Sequence, residues 1–381
     1  MEKQAKKVLI PMVLGVAFSA ALNADSAGQN NQKTKAGSLM TETVQGTMVG
    51  KTPGFINGPG FYVTGDFLYW QPDVDGTEYA FKYKSTAGAG TDFVSNGKLK
   101  GIQFDYEPGF KLGAGYTTDY DDWDVYACWT WLRASETDHV INSHPGEDII
   151  APLWFPASLN ITNNYFGSAK EATGKWEMHY NTLDLNLGRK YFLSKAITFR
   201  PHIGLRTAWI DQTFKSELRG LDYDEGKATE FHGSNDFWGI GLRTGIQMQF
   251  FFDKNWSLYA NGAGALLFGE FDLSQHTKGF FLNAPIGLIE PYQELFHESN
   301  ELHRLRANLE VGAGFMWETF FNKDKFHFSI AAGWDFVEWF RQNELRQCVG
   351  YNGNNLGDAT NINQEGDLGL QGFTLSARFD F

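Results

Sequence analysis

The sequence of 381 residues is poor in cysteine and has no excess of positive charge. It contains two cysteines, Cys128 and Cys348, so a disulfide-rich scaffold is excluded and a single bridge is left open. The net charge of −13 excludes the basic surface that nucleic acid requires. Beyond residue 24, no apolar run approaches the roughly 20 residues of a membrane-spanning helix. These absences exclude nucleic-acid-binding proteins and helical membrane proteins.

Motifs for catalysis and metal binding are also missing. The chain has neither the Gly-x-Ser-x-Gly nucleophile motif nor the His-Glu-x-x-His metal motif. His139 and His144 share a loop with several carboxylates, and His232 lies near Asp236. Such pairs can activate water, but on loops they are more often solvated surface groups. We therefore predict no enzymatic activity, no cofactor and no bound metal.

The amino terminus has the pattern of an export signal. Three lysines precede an apolar run over 8–22, and Leu22-Asn23-Ala24 is typical of a cleavage site. The run is too short to span a membrane, so we expect residues 1–24 to direct export and to be removed. Residues 25–58 are polar and lack periodicity, which predicts a flexible periplasmic arm before a membrane domain over 59–381.

The last residues alternate strictly between two kinds of side chain. Phe373, Leu375, Ala377, Phe379 and Phe381 share one face of a strand, while Thr374, Ser376, Arg378 and Asp380 share the other. A strand with one face on lipid and one on water fits an outer-membrane barrel. A half-buried strand of a soluble sandwich would show the same pattern, so this segment alone leaves both open.

Similar two-faced segments recur along the chain, and their connections alternate in length. Strands are predicted near 61–70, 102–118, 123–133, 176–188, 196–211, 237–252, 256–268, 304–318, 326–340 and 369–381. The connections 119–122, 189–195, 253–255 and 319–325 are short, and the others are long. This asymmetry predicts an all-β fold, a transmembrane antiparallel barrel with short periplasmic turns and long extracellular loops. The count is ten strands, or twelve if Pro108 divides the first hairpin.

Aromatic residues are abundant, with 33 Phe, 15 Tyr and 12 Trp. Several tryptophans fall near predicted strand ends, where barrels carry aromatic girdles at the two lipid–water interfaces. The predicted girdle comprises Trp70, Trp123, Trp131, Trp238, Trp256, Trp317 and Trp339.

The face opposite the apolar one carries charges of both signs. Buried charges are unfavourable unless they are paired, so a water-filled lumen explains them most simply. The alternative is a plugged interior of paired arginines and carboxylates, because barrels of about eight strands are filled by side chains. The predicted pore-lining residues are Asp66, Asp184, Arg200, Arg206, Arg243, Arg306, Glu310, Asp335 and Arg378.

Three stretches resemble a known family. They are Gly60-Phe61-Tyr62-Val63-Thr64-Gly65-Asp66-Phe67-Leu68-Tyr69-Trp70, Gly109-Phe110-Lys111-Leu112-Gly113-Ala114-Gly115-Tyr116, and Trp123-Asp124-Val125-Tyr126. They are similar to the major-outer-membrane-protein-like (MOMP-like), pore-forming family of Legionella and the environmental chlamydiae. The resemblance implies an outer-membrane porin whose terminal aromatics, Phe379 and Phe381, are read by the barrel assembly machinery. With two cysteines, the chain departs from the cysteine-rich chlamydial protein, so a disulfide-linked network is not expected.

We therefore expect an outer-membrane porin, a narrow water-filled channel for passive diffusion of small hydrophilic solutes. The alternative is a non-conducting structural or adhesin-like barrel that presents long extracellular loops. The expected partners are outer-membrane lipid, the assembly machinery and small hydrophilic solutes. A homo-oligomer is left open, and nucleic acid is not expected.

Overall fold

The computed structural model describes residues 60–86, 93–118, 123–144, 148–154, 169–194, 196–220, 228–283, 288–322, 325–350, 359–363 and 366–381. The predicted signal peptide (1–24) and periplasmic arm (25–58) lie outside these ranges. All regular elements of the described residues are β-strands. None of these residues belongs to a helix long and apolar enough to cross a membrane.

The strands follow one another with short and long connections. In chain order they are β1 (Gly60–Val74), β2 (Glu78–Thr86), β3 (Phe93–Gly101), β4 (Glu107–Thr117), β5 (Trp123–Ile141), β6 (Asp148–Pro152), β7 (Glu171–Arg189), β8 (Tyr191–Phe192), β9 (Ile197–Arg219), β10 (Thr229–Phe251), β11 (Trp256–Asn283), β12 (Leu288–Phe321), β13 (Phe326–Asn343), β14 (Arg346–Gly350), β15 (Ala359–Asn363) and β16 (Gly366–Asp380).

Ten of these strands close into an antiparallel barrel. The order around the barrel is β1, β4, β5, β7, β9, β10, β11, β12, β13 and β16. Closure comes from β1, which pairs with β4 on one side and with β16 on the other. Every barrel strand thus has two hydrogen-bonded neighbours, which the absence of water in a bilayer demands. The prediction of ten strands is confirmed, and the variant with twelve is wrong, because β2 and β3 lie outside the ring.

The two rims of the barrel differ, as predicted. At the periplasmic rim the turns are short, and the turn between β12 and β13 includes Asn322 in a left-handed conformation (φ 53°), which asparagine tolerates. At the extracellular rim, β2, β3 and β6 form a small antiparallel sheet, and β14 and β15 form a hairpin.

Several strands continue well beyond their predicted ends on the extracellular side. β9 runs to Arg219, and β11 and β12 pair far above the membrane, with Asn283 opposite Leu288. The residues 291–303 belong to β12, although Tyr292, Leu295, Phe296 and Leu302 recur there at roughly helical spacing. Cross-strand pairing with β11 overrides that helical spacing, since propensity is weak against tertiary context.

The outer surface of the barrel carries an exposed apolar band. Large side chains such as Leu185, Ile203 and Leu242 are 50–64% exposed, which a soluble protein does not sustain over so wide a surface. Trp123, Trp131, Trp238, Trp256 and Trp317 share the outward face with this band.

Two tryptophans of the predicted girdle point inward instead. Trp70 follows the outward Tyr69, so the alternation of the strand turns it inside, where it is 1% exposed and donates to Thr374 Oγ1 at 3.1 Å. Trp339 is fully buried and donates to the hydroxyl of Tyr180 at 3.3 Å. Neither residue can anchor the barrel at an interface.

The barrel interior as the candidate functional site

A cluster of opposite charges crosses the middle of the interior. Arg206 on β9 donates to both carboxylate oxygens of Asp184, each at 2.6 Å, and also pairs with Glu310 on β12. Arg243 on β10 donates to the other oxygen of Glu310 at 2.6 Å. Since β9 and β12 are not neighbours in the sheet, these bonds run through the lumen. The structure thus brings together Asp184, Arg206, Arg243 and Glu310, which we call the central ion cluster.

A second ion pair lies on the other side of the interior. Lys111 on β4 reaches Asp335 on β13 at 3.1 Å, passing in front of β1 and β16. Thr374 donates to the same carboxylate at 2.9 Å, and the ammonium of Lys111 lies 4.6 Å from the ring centre of Trp70. The negative charge of Asp335 is therefore neutralised by Lys111, so this carboxylate is not available to interact with a solute.

Above these ion pairs, the interior is filled by apolar side chains. Tyr180 on β7 and Trp339 on β13 meet edge to face with ring centres 6.3 Å apart, and Phe237 packs on Phe271 at 4.6 Å. The inward side chains at this level are 0–1% exposed and form what we call the apolar plug. It comprises Leu68, Trp70, Leu132, Tyr180, Ile210, Phe237, Leu267, Phe271, Trp339 and Leu370.

The extracellular segments fold onto this plug. Trp154, which follows β6, packs on Phe214 and Phe231 with ring centres 5.0 and 4.9 Å away, and its indole donates to Glu78 O at 2.6 Å. Tyr79 of β2 is fully buried beside them. These contacts cap the barrel at its extracellular end.

The end of β13 and the residues that follow it close the same end from another side. Gln342 O accepts from Asn235 Nδ2 at 2.8 Å, and Glu344 forms a buried ion pair with Arg306. The predicted pore-lining residue Arg306 therefore lies within the capped region, and its guanidinium lies 4.5 Å from the ring centre of Phe271.

The periplasmic half holds a polar cavity of about 280 Å³, which we call the vestibule. Three of the predicted residues, Asp66, Arg200 and Arg378, line it. Its arginines are paired, because Arg200 Nε donates to Asp124 at 2.7 Å and Arg378 Nε donates to Asp380 at 3.0 Å. The remaining lining is rich in hydroxyl and amide groups and includes Thr64, Tyr126, Gln247, Gln249, Tyr259, Asn261, Ser329 and Ser376.

The predicted charged residues thus face the interior, but they do not border one continuous water-filled lumen. In the described part of the chain, most of them are bound to opposite charges, and the plug lies between the vestibule and the extracellular side. The physical reason is the small circumference of a ten-strand barrel. Strand alternation tells which side chains point inward, but it does not tell how far they reach across.

Sequence reasoning missed several interior residues. Lys111 and Asp124 alternate with apolar neighbours, so the same period that revealed Asp66 could have identified them. Glu344 follows the end of β13, where no periodic signal exists. Cys128 is a free thiol on β5, so the bridge left open by the sequence is not formed. The side chain of Cys348 lies outside the described residues.

Several solved outer-membrane structures resemble the fold at low identity. The outer membrane protease OmpT of Escherichia coli shares 9% identity, covering 84% of this chain and 96% of its own, with a TM-score of 0.34. The toluene transporter TodX of Pseudomonas putida shares 10%, covering 85% and 90%, with a TM-score of 0.27. A Pseudomonas aeruginosa FadL homologue shares 8%, covering 86% and 91%, with a TM-score of 0.24.

No curated protein sequence matches the chain. One family does, and it confirms both the resemblance seen in the sequence and the location in the outer membrane. The family described as the Legionella pneumophila major outer membrane protein precursor matches residues 57–381, and the chain belongs to this family.

Proposed function

We propose that this protein is a structural outer-membrane barrel with a closed interior, which displays its extracellular strands and loops at the cell surface. One observation supports the proposal above all. The indole of Trp339 donates to the hydroxyl of Tyr180 at 3.3 Å, although β13 and β7 lie on diametrically opposite sides of the ring. Side chains that meet across the full diameter leave no room for a solute between them.

The surrounding plug strengthens this argument. A path for hydrophilic solutes needs walls that water reaches, and the plug side chains are 0–1% exposed. To open such a path, the aromatic rings would have to leave their contacts with one another and enter water, which is unfavourable in proportion to the apolar area exposed. The closed state is therefore expected to be the resting state.

Single-channel recording in planar bilayers tests the proposal. The wild-type protein is expected to show no conductance steps, while the double variant Tyr180→Ala with Trp339→Ala is expected to conduct. Trp334→Ala is the matched control, because this tryptophan also lies on β13 but points outward and is 49% exposed. Regular conductance steps from the wild-type protein would overturn the proposal.

A second candidate is the passive porin, and the vestibule favours it. Its polar lining and paired charges would accept small hydrophilic solutes from the periplasmic side. Passage would then require the plug to move. Swelling of proteoliposomes in sugars of increasing size distinguishes the two: a size-limited swelling rate for the wild-type protein supports the porin, and no swelling supports the closed barrel.

A further inference from the structure

Three histidines lie side by side on the outer face of the extracellular extension. His232 on β10 is directly opposite His276 on β11, and His276 is directly opposite His297 on β12. His232 shares the face of Trp238 and lies about 20 Å beyond it along β10, since a strand rises roughly 3.3 Å per residue. This distance places the row outside the apolar band, in the aqueous region of the cell surface.

The first two rings are held together. Their centres are 4.8 Å apart and their planes are inclined by 25°, and both side chains are half-buried. The pairing of β10 with β11 is regular from Glu230 to Phe251, so the backbone beneath the rings is fixed. Two imidazoles on adjacent strands are thus held next to each other on the same outward face.

Imidazole is the commonest metal ligand among protein side chains. It binds in its neutral form, through the lone pair of a ring nitrogen.

The local charge does not repel a dication. Glu177 on β7 acts on the first ring, while Glu230 on β10 and Glu294 on β12 act on the second. These three carboxylates outnumber the two nearby ammonium groups, those of Lys215 and Lys278, so the charge around the rings is slightly negative. The two histidines therefore differ from an ordinary exposed histidine in two respects. Each faces a second imidazole on the adjacent strand, and the charge around them is slightly negative.

We propose that His232 and His276 form a two-histidine surface site for a late first-row transition metal ion, Cu²⁺ in preference to Zn²⁺ or Ni²⁺, with water completing the coordination. Imidazole suits these ions, and Cu²⁺ stands highest in their general order of affinity. Metal–nitrogen bonds of about 2.0–2.1 Å bring two ligand nitrogens within roughly 4 Å, so rotation of the side chains alone closes the site.

The site has two protein ligands rather than three. In the part of the chain that the structure describes, no group of three or more His, Cys, Asp or Glu side chains is arranged around one point. His297 is 58% exposed and lies 3.6 Å from Glu294, so its ring would have to turn to join the pair. The site is independent of whether the barrel conducts, because it lies on the outer surface.

Titration with CuCl₂ and ZnCl₂ of the full chain, purified in detergent and stripped with a chelator, tests the proposal. Calorimetry is expected to show one Cu²⁺ per chain, bound more tightly than Zn²⁺. Electron paramagnetic resonance is expected to show coupling to two imidazole nitrogens. His232→Ala and His276→Ala should each weaken Cu²⁺ binding at least about tenfold.

His303→Ala is the matched control, because His303 is also an outward histidine of β12 and is 58% exposed, but pairs with Glu270. It should leave the affinity unchanged. Circular dichroism and the heat-dependent electrophoretic shift of a folded barrel establish that each variant is folded. Wild-type binding equal to that of His232→Ala, or a spectrum with one nitrogen, would overturn the site. Bilayer recording of the same samples tests the closed barrel separately.

Discussion

At the scale of single residues, the interior depends on charges that the fold cannot leave unpaired. Arg206 is 2% exposed and holds Asp184 and Glu310 together, so it neutralises two carboxylates at once. Removing one partner of a buried ion pair leaves the other charge uncompensated, which destabilises by about 3–5 kcal/mol. The central ion cluster is therefore where a single substitution should matter most.

Arg206→Met is accordingly expected to lower the free energy of unfolding by about 3 kcal/mol or more. Denaturant titration of the protein in detergent micelles measures it. Arg378→Met is the control, since this side chain is 31% exposed at the vestibule and its partner Asp380 keeps His327 as a second one. Adding Asp184→Asn to Arg206→Met should recover part of the loss. Equal losses for Arg206→Met and Arg378→Met would contradict the central role of the cluster.

The sequence also shows, at this scale, which face a residue takes. Trp70 follows Tyr69, so the period of two that placed Tyr69 outside already placed Trp70 inside. The girdle prediction used the position near a strand end, which fixes the height of a residue in the membrane and leaves its face undetermined. That Trp339 meets Tyr180 across the barrel could not be predicted, because the contact depends on the circumference and stagger of the closed ring.

At the scale of strands, the two faces exchange polarity where a strand leaves the membrane. On β9, Ile203 and Leu205 point outward within the apolar band, while Arg206 points inward. Further along the same strand, Lys215 lies on the outward face and Phe214 is fully buried inside. Beyond the membrane, water surrounds the barrel in place of lipid. The apolar side chains of this part of the strand therefore lie on the inward face, where they form a core. The sequence prediction ended this strand near residue 211 because it expected one constant pattern.

The cap over the barrel should respond to acid through the pairing of β2 with β6. The ammonium of Lys82, 3.1 Å from Asp148, donates a hydrogen bond that lowers the pKa of this carboxyl below its usual value of 3.8. A carboxyl group whose pKa is lower in the folded state stabilises that state at higher pH, and the contribution is lost as pH falls through the folded pKa.

Hydrogen exchange in β6, corrected for the intrinsic effect of pH, should therefore accelerate below about pH 4 in the wild-type protein. Asp148→Asn should show the faster exchange at neutral pH already, and little further change in acid. Glu136→Gln is the control, because Glu136 on β5 accepts a hydrogen bond from the backbone amide of Asp105 and takes no part in this ion pair. Exchange in β6 that is independent of pH in the wild-type protein would contradict the role of Asp148.

At the scale of the whole molecule, the barrel is closed by its two ends. β1 and β16 pair along their whole length, and Phe61 and Phe381 exchange two backbone hydrogen bonds of 3.1 and 2.9 Å at the periplasmic rim. The alternation of short and long connections was enough to predict this topology, because it fixes an even strand count and puts both ends on one side. The capped interior was beyond prediction, since it depends on loops without periodicity that fold back into the mouth.

The pairing of β1 with β16, which we call the seam, suggests one of two roles for Phe381, and the two roles can be distinguished. Its ring lies 6.4 Å from that of Phe61 and 5.9 Å from that of Phe379, so it supports the closure of the barrel directly. From the family resemblance we expect a second role, that of a terminal signal read by the assembly machinery. Phe61→Ala removes a ring from the same stack without changing the terminus, and so it isolates the packing contribution.

If the terminal signal operates, Phe381→Ala should slow insertion into proteoliposomes that contain the assembly machinery far more than Phe61→Ala does. Both variants should fold with similar yield in detergent alone, because there only the packing of the seam matters and each variant loses one ring from the stack. The heat-dependent electrophoretic shift measures the folded fraction over time in both settings. If the two variants slowed insertion equally, the loss would come from the packing of the seam and not from a terminal signal. The rings of Phe61 and Phe381 would then contribute equally to closure of the barrel in both settings.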